Sequence, residues 1–431
     1  MAIQQIGTNF NGTTDFDVVL KDFYEGPIRE HLNNKVTLLK YVERSKRKWS
    51  GRQVLFPVHL KRNSGVGGRG ETGNLPVAGR QEYVQSKIRA KYLYGRIQLT
   101  GAVISASQGN RGSFASAMRS EIDGMRRDLR NDMNRQCFGN FVPEPDGSIG
   151  LLNAAGKTGI LALVNAAPTG TTVHVDQPGT RYIKAGDSLV YGGISGAPGP
   201  GVLTGTTDEA VTSVASNRVD YEVASAAGIS DNQVVCRGDA SGDAFDKEIH
   251  GIDFLINDSN DFDLQTIDVS ANTSWKAHVE TNATDRPLSL ELMQLAFDAC
   301  DEKGGDEPNL IMCHHSLRRE YINLLTSDVR YAPEQLRGGF QKLSYAGGTS
   351  PTSIEFDKHA TYNTMYFINT ADINLYVQKD WGWADQDGSV LSRVSGQDQW
   401  EAFMCWYGNL GMERRNTHAR LDKLSVSNLI F

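Results

Sequence analysis

Apolar positions along this chain change their period several times, and each change marks an element. Over 113–138 the side chains Phe114, Met118, Ile122, Met125, Leu129 and Met133 follow at steps of 4, 4, 3, 4 and 4. That spacing puts them on one stripe of an α-helix, with Ser113 as its N-cap and Gly139 as its stop. At 1.5 Å per residue such a helix is a rod of roughly 37 Å, long for a mid-sized domain. Before it, over 51–100, the period is two. Val54, Phe56, Val58 and Leu60 alternate with other residues, and Val84, Ser86, Ile88, Ala90 and Tyr92 alternate with Tyr83, Gln85, Lys87, Arg89 and Lys91. This predicts one long β-hairpin whose tip, 63–80, carries six glycines. A two-stranded ribbon cannot bury its own apolar face, so it needs another surface to lie on.

The remaining stretches follow the same logic. Residues 1–50 read as an arm with a loosely helical piece (Val18, Val19, Phe23, Ile28, Leu32, Val36, Leu39, Val42), interrupted at Pro27 and ending in the basic knot Arg44, Lys46, Arg47, Lys48 beside Trp49. Over 166–245 short apolar pieces (TVHV, DSLVYGG, VTSVAS, VDYEVASA, NQVVC) are separated by turn signals, which predicts a small all-β barrel or sandwich. Helical patterns at 288–303 and 316–325 flank a strand-like 309–313. Strand patterns return in SIEF, MYFIN, INLYV and the run 399–410.

Composition adds exclusions. The 431 residues are 39% hydrophobic and 22% charged, an ordinary globular mixture. The five cysteines are widely spaced with no C-x-x-C pair, as expected of reduced thiols. No secretory pattern opens the chain, and no apolar stretch reaches 18 residues, so a soluble protein with no membrane partner is expected. The net charge of −7 is unevenly spread: residues 1–140 carry 23 basic and 12 acidic side chains, the rest 21 and 39. Such a molecule either neutralises itself or offers one end to the other end of a second copy.

Candidate chemistry fails on context. Gly65-x-Gly67-x-x-Gly70 is followed by GETGNLPVAG, which cannot be the helix a dinucleotide fingerprint requires. Gly156-Lys157-Thr158 has Leu151 where a phosphate loop needs glycine. Cys313-His314-His315 offers adjacent ligands that rarely converge on one ion. Asp253, Asp258, Asp261 and Asp263 lack calcium-loop spacing and read as a solvated acidic loop. Arg237-Gly238-Asp239 reads as a turn, and the triplets at Asn11, Asn272 and Asn282 mean nothing without secretion. No catalytic residue, cofactor or metal is expected. An enzyme or carbohydrate-binding protein with an unrecognised site is the alternative reading.

The order of parts (arm, overlong hairpin, rod, β insert, acidic second half) resembles the major capsid proteins of tailed double-stranded-DNA phages, with the Hong Kong 97-type fold. PNLIMCHHSLRREYINLLTSDVRYAPEQ (308–335) resembles that family's axial strand–turn–helix with its D-x-RY segment. The stretch 373–424 resembles its last long strand. The resemblance implies an α+β fold: N-terminal arm 1–50, extended loop 51–100, peripheral domain 101–165 with its spine helix, an inserted β-domain 166–245, peripheral return 246–285, axial domain 286–395, and last strand and C-terminus 396–431. It implies a shell protein, not an enzyme, assembling as hexamers and pentamers around DNA in the virion, after folding in the host cytoplasm. Implied partners are copies of itself, a portal protein at one vertex, a decoration protein, a separate scaffolding protein (about 50 residues before the hairpin leave no room for a fused one) and packaged DNA through non-specific contact. The tip holds no lysine, and Phe403 and Asn409 stand where a crosslinking asparagine and carboxylate would be, so no autocatalytic crosslink is expected. The residues expected at subunit contacts are Arg44, Arg47 and Trp49 in the arm and Arg69, Glu71 and Arg80 in the tip. Arginine suits such contacts through paired hydrogen bonds to carboxylates.

Overall fold

The computed structural model describes residues 35–47, 49, 51–102, 111–139, 158–176, 179–195, 202–215, 219–239, 242–258, 263–326, 343–384 and 392–426. Expectations for the arm before residue 35, Lys48, Gly156-Lys157, Asp261, the D-x-RY run and the side chains of Phe114 and Met118 lie outside them.

Two sheets meet across a shared core. In the first, β17 (Ile373–Trp383) runs antiparallel to β19 (Gln399–Met412), and β1 (Glu43–Arg44) of the arm adds in parallel to β17. The pair β18 (Ser392–Arg393) extends that edge of β19, while β4 (Lys91–Thr100) lies along the other from Gln399↔Thr100 to Gly408↔Lys91. The second sheet has the order β12 (His278–Glu280), β20 (Ala419–Leu421), β16 (Met365–Ile368), β13 (Leu310–Cys313), β15 (Thr352–Phe356), β14 (Ser344–Tyr345).

Period-two alternation divides the second sheet between two cores. Leu310, Met312, Tyr366 and Ile368 face the cluster shared with Trp406, Leu410 and Met412 of the first sheet. Ile311, Cys313, Met365 and Phe367 face the opposite way, against α3 (Leu290–Gly304) and α4 (His315–Thr326). Both faces of β13 and β16 are therefore dry, which is why LIMC and MYFI carry no polar alternation except the tyrosine. Helix α3 starts where the Ser289 hydroxyl accepts from the Leu292 N–H at 3.2 Å, and stops at Gly305 with φ +71°.

The long helix α1 spans Arg111–Phe138, so Ser113 lies inside it rather than at its cap. Its last six residues are all buried, packed beside the one-turn α2 (Ile252–Leu255). Further up, Ile122, Met125 and Leu129 are only half-buried, so the predicted stripe has cover at one end and little at the other.

The β insert is a closed barrel. Its strands are β5 (Ile160–Thr169), β6 (Thr172–Val175), β7 (Ser188–Ser195), β8 (Val202–Val214), β9 (Asp220–Val223) and β10 (Val234–Asp239), with β11 (Gly242–Asp243) appended to β10. Pairings run β5–β6–β9–β8–β7–β10 and back to β5, so no barrel strand is left as an edge. Its first strand begins at Ile160, six residues before the start of the β pattern at 166. Side chains fill the interior, among them Leu161, Val173, Leu189, Val211 and Val235, with a buried Tyr221 hydroxyl donating to Tyr191 at 2.8 Å.

The hairpin consists of β2 (Gln53–Lys61) and β3 (Glu82–Arg89). The expected single hairpin over 51–100 is corrected in its last ten residues, which form β4 in the first sheet. The alternation changes phase at Ala90: Ser86 and Ile88 point inward before it, Leu93, Ile97 and Leu99 after it. The stretch 286–395 likewise serves two sheets, since β17 lies in the first and β13 to β16 in the second.

Candidate subunit-contact surfaces

The hairpin is docked along its strands and free at its tip: Val58, Leu60 and Val84 lie against the shared core, and the Ser274 hydroxyl donates to the Leu60 carbonyl at 3.0 Å. Val54, Phe56 and Ile88 pack with Tyr376 of β17, whose ring stacks on Phe56 at 6.3 Å. A second tie is the Lys87 N–H, which donates to the Gln265 carbonyl at 2.9 Å. Beyond the root the strands separate into the tip, where Val66, Leu75 and Val77 are 85%, 86% and 86% exposed. The two limbs cross where Gly65 meets Gly79: a Cβ on Gly65 would stand 2.8 Å from the Gly79 nitrogen, so the crossing needs glycine. Arg69, Glu71 and Arg80 are exposed in this tip, and the Arg69 guanidinium donates to the neighbouring Gly68 carbonyl at 2.9 Å.

The arm arginines behave differently. Arg44 makes two hydrogen bonds to Asp380, at 2.7 and 3.1 Å, and Arg47 two to Glu413, at 2.8 and 3.1 Å. The Arg47 hydrogen bonds hold the Glu413 carboxyl below its usual range against the opposing effect of burial. Tyr376 also donates to Glu413 at 3.0 Å, and the Arg47 guanidinium lies 5.3 Å from the centre of the Phe56 ring. Trp49 packs against the same cluster and donates to the Gly51 carbonyl at 2.9 Å. Arm, hairpin root and both long strands are thus clasped together by residues from four parts of the chain. In one subunit, the basic first part already meets acidic partners from the second.

Sequence reading missed a second exposed face. On the outer side of the first sheet, Tyr92 and Tyr94 of β4 and Phe403 of β19 are exposed; Tyr92 lies opposite Tyr407 with ring centres 5.0 Å apart. Arg96 is paired with Glu401 beside them, and Lys379 lies 5.5 Å over the Tyr407 ring. The signal was present in Tyr92 and Tyr94, two aromatics on the polar phase of a strand.

A partly exposed ion pair from the barrel to α1 is backed by a buried arginine. Arg135, 2% exposed in its side chain, donates to Asp132 at 2.8 Å and to Glu248 at 2.5 Å, and Arg237 of β10 reaches Asp132 at 3.0 Å. Burial alone would raise the Asp132 carboxyl, but Arg135 and Arg237 outweigh it and hold it well below the usual range. Arg237 therefore sits in a strand and an ion pair, not in the expected turn. Nearby, His359 bridges the Tyr182 hydroxyl at 3.1 Å and Asn131 at 3.2 Å. Burial and the neighbouring cations push its imidazole down to about 3.

The other motifs do not converge. Cys313 lies in β13, His314 is buried against the Ser316 hydroxyl at 2.9 Å, and His315 is exposed. Asp253 is not part of a solvated loop: it is buried, accepts from Tyr366 and Thr361, and burial lifts its carboxyl to about 7. Thr158 donates to the Glu248 carbonyl at 3.0 Å. Among the described residues no three potential ligands gather around a common point.

Comparison by sequence finds no matching family model and no curated relative. Comparison by structure finds the cyanophage A-1(L) capsid asymmetric unit, with a TM-score of 0.53 at 11% identity over 93% of this chain and 97% of that one. The capsid of a native GTA particle aligns at TM-score 0.48 and 8% identity over 94% and 95% of the two chains, and that of Myoviridae phage XM1 at 0.40 and 7% over 93% and 100%. At such identities the likeness to the cyanophage chain speaks for architecture: this chain has the α+β, Hong Kong 97-type fold of phage capsid subunits.

Proposed function

We propose that this chain is the major capsid protein of a tailed phage, self-assembling as hexamers and pentamers into an icosahedral shell around packaged DNA. The observation that carries the reading is the hairpin: a capsid-type fold extends a ribbon whose tip exposes Val66, Leu75 and Val77, with no cover for them among the described residues. Apolar side chains displayed on so thin an element favour contact with another molecule. Stable protein contacts bury about 1,200–2,000 Å², and a projecting ribbon supplies such area without enlarging the core. The exposed Tyr92, Tyr94 and Phe403 face is a second surface suited to a neighbour.

In this reading residues 1–50 are the arm, 51–89 the extended loop, and the barrel an inserted domain. Arg69, Glu71 and Arg80 contact neighbouring subunits, while Arg44, Arg47 and Trp49 brace the root from which the loop reaches them. A separate scaffolding protein, a portal protein, a decoration protein and loose contact with DNA belong to the same proposal, as does assembly in the host cytoplasm. Electron microscopy of the protein expressed with its scaffold tests it. Rings or closed megadalton particles are expected; monomers and dimers alone would refute it.

A further inference from the structure

Three side chains buried beside α2 keep polar hydrogens that no described residue accepts. Arg415, 1% exposed, lies in the link from β19 to β20. Its Nε donates to the Leu255 carbonyl at 3.0 Å and its Nη2 to the Asn257 carbonyl at 2.5 Å, while the buried Nη1 has no partner. The guanidinium lies 5.8 Å from the centre of the Trp275 ring, whose buried Nε1–H is also unpartnered. The third is the buried His418. Its Nδ1 accepts from the Asn369 N–H at 3.2 Å, so a neutral ring carries its proton on Nε2, and that buried N–H has no acceptor either. Burial and the Arg415 cation push this imidazole down to about 3, which keeps the ring neutral and places the guanidinium within electrostatic reach of it.

What such a cluster lacks is negative. All three unpartnered groups are donors, and one belongs to a cation. The acidic group that acts on Arg415 among the described residues is Asp258, which is exposed and forms no ion pair with it. A guanidinium buried against carbonyls alone is costly, because no charge offsets its desolvation. A water molecule accepts two hydrogen bonds and brings no charge, so it would leave one donor and the cation unmet. A monovalent anion balances the single positive charge, and a spherical halide accepts from three N–H groups at once. A doubly charged anion would leave surplus negative charge in the core.

We infer that Arg415, His418 and Trp275 hold a monovalent anion of the halide class inside the subunit. The anion braces the link by which the chain passes from the first sheet to the second, tying it to 255–257 and to the turn at Trp275. The inference does not depend on shell assembly. Chloride is the probe. The purified full chain is exchanged into sodium gluconate, whose anion is bulky, and chloride is added at constant ionic strength. The melting temperature should rise by roughly 3 °C and then saturate. Trp275→Phe keeps an aromatic ring and removes the N–H; it should raise the midpoint of the titration about tenfold, and Arg415→Met should abolish the response. Broadening of the chloride NMR signal by the unaltered protein, reversed by bromide, reads binding without reference to the stability of any variant. A melting temperature indifferent to chloride, no broadening, or a midpoint unmoved in Trp275→Phe would overturn the site and assign the three donors to water.

Discussion

The barrel and the hairpin are both β-structure, yet they solve the edge problem in opposite ways. The barrel closes β7 onto β10, fills its interior with Leu161, Val173, Leu189, Val211 and Val235, and leaves no barrel strand unpaired. The hairpin pairs only with itself and keeps an apolar tip, and it is covered only where its strands lie on the body: Val54, Phe56 and Ile88 meet Tyr376, and Val58, Leu60 and Val84 lie against the shared core. A closed sheet is complete within one chain; an open ribbon is completed by something else. The strand count decides this: six short strands can wrap around a core, and two cannot.

That contrast breaks most sharply when the tip is removed. Replacing 63–80 by an Asn-Gly turn should abolish particle formation while shifting the melting temperature by only about 2–4 °C, since the tip buries almost nothing. An unfolded product would place the tip in the core. Next in size is Arg135→Met, which leaves Glu248 and Asp132 short of their buried cation. It should cost about 3–5 kcal/mol and raise hydrogen exchange across 160–239 while the root of the hairpin keeps its protection. Leu161→Ala should cost about 2–5 kcal/mol, confined to the barrel in the same measurement.

Acid provides a smaller, graded probe of how the barrel is docked. His359 is held neutral in the folded state, with its imidazole down at about 3. Its contribution is fully present above about 6.5 and is lost as pH falls from there through about 3, because the unfolded chain takes up the proton first. His359→Gln should make the pH dependence of unfolding shallower over that window by at most one proton, about 1.4 kcal/mol per pH unit. An unchanged slope would remove His359 from the account. Smallest is Glu413→Gln at the hairpin root. Arg47 and Glu413 are partly exposed, so the expected loss is about 0.5 kcal/mol, fading with salt. The Glu413 carboxyl is depressed in the fold, so this contribution is present above about 4.3 and lost as pH falls below it.

Much of the local structure was legible before any coordinates. Steps of three and four from Phe114 to Met133 mark α1, and the pieces TVHV, LIMC, MYFI and INLYV each coincide with a strand. The phase change at Ala90 was also in the letters, but the run 83–92 stayed regular long enough to suggest one ribbon. The surroundings of the residues expected at subunit contacts were legible only in part. Arg69, Glu71 and Arg80 are exposed where a glycine-rich tip suggested, whereas Arg44 and Arg47 spend their guanidinium groups on Asp380 and Glu413, 336 and 366 positions away.

The sequence by itself determined which residues form helix and strand, and that the chain carries an element with more apolar surface than it can cover, because period and glycine placement are local properties of the backbone. The tertiary structure alone decided partners: that β7 closes on β10, that β4 leaves the hairpin for β19, and that Asp132 of α1 takes Arg237 from the barrel. Periodicity tells a side chain which way to face. What it faces depends on distant segments brought together by packing, and those leave no trace in the neighbouring letters.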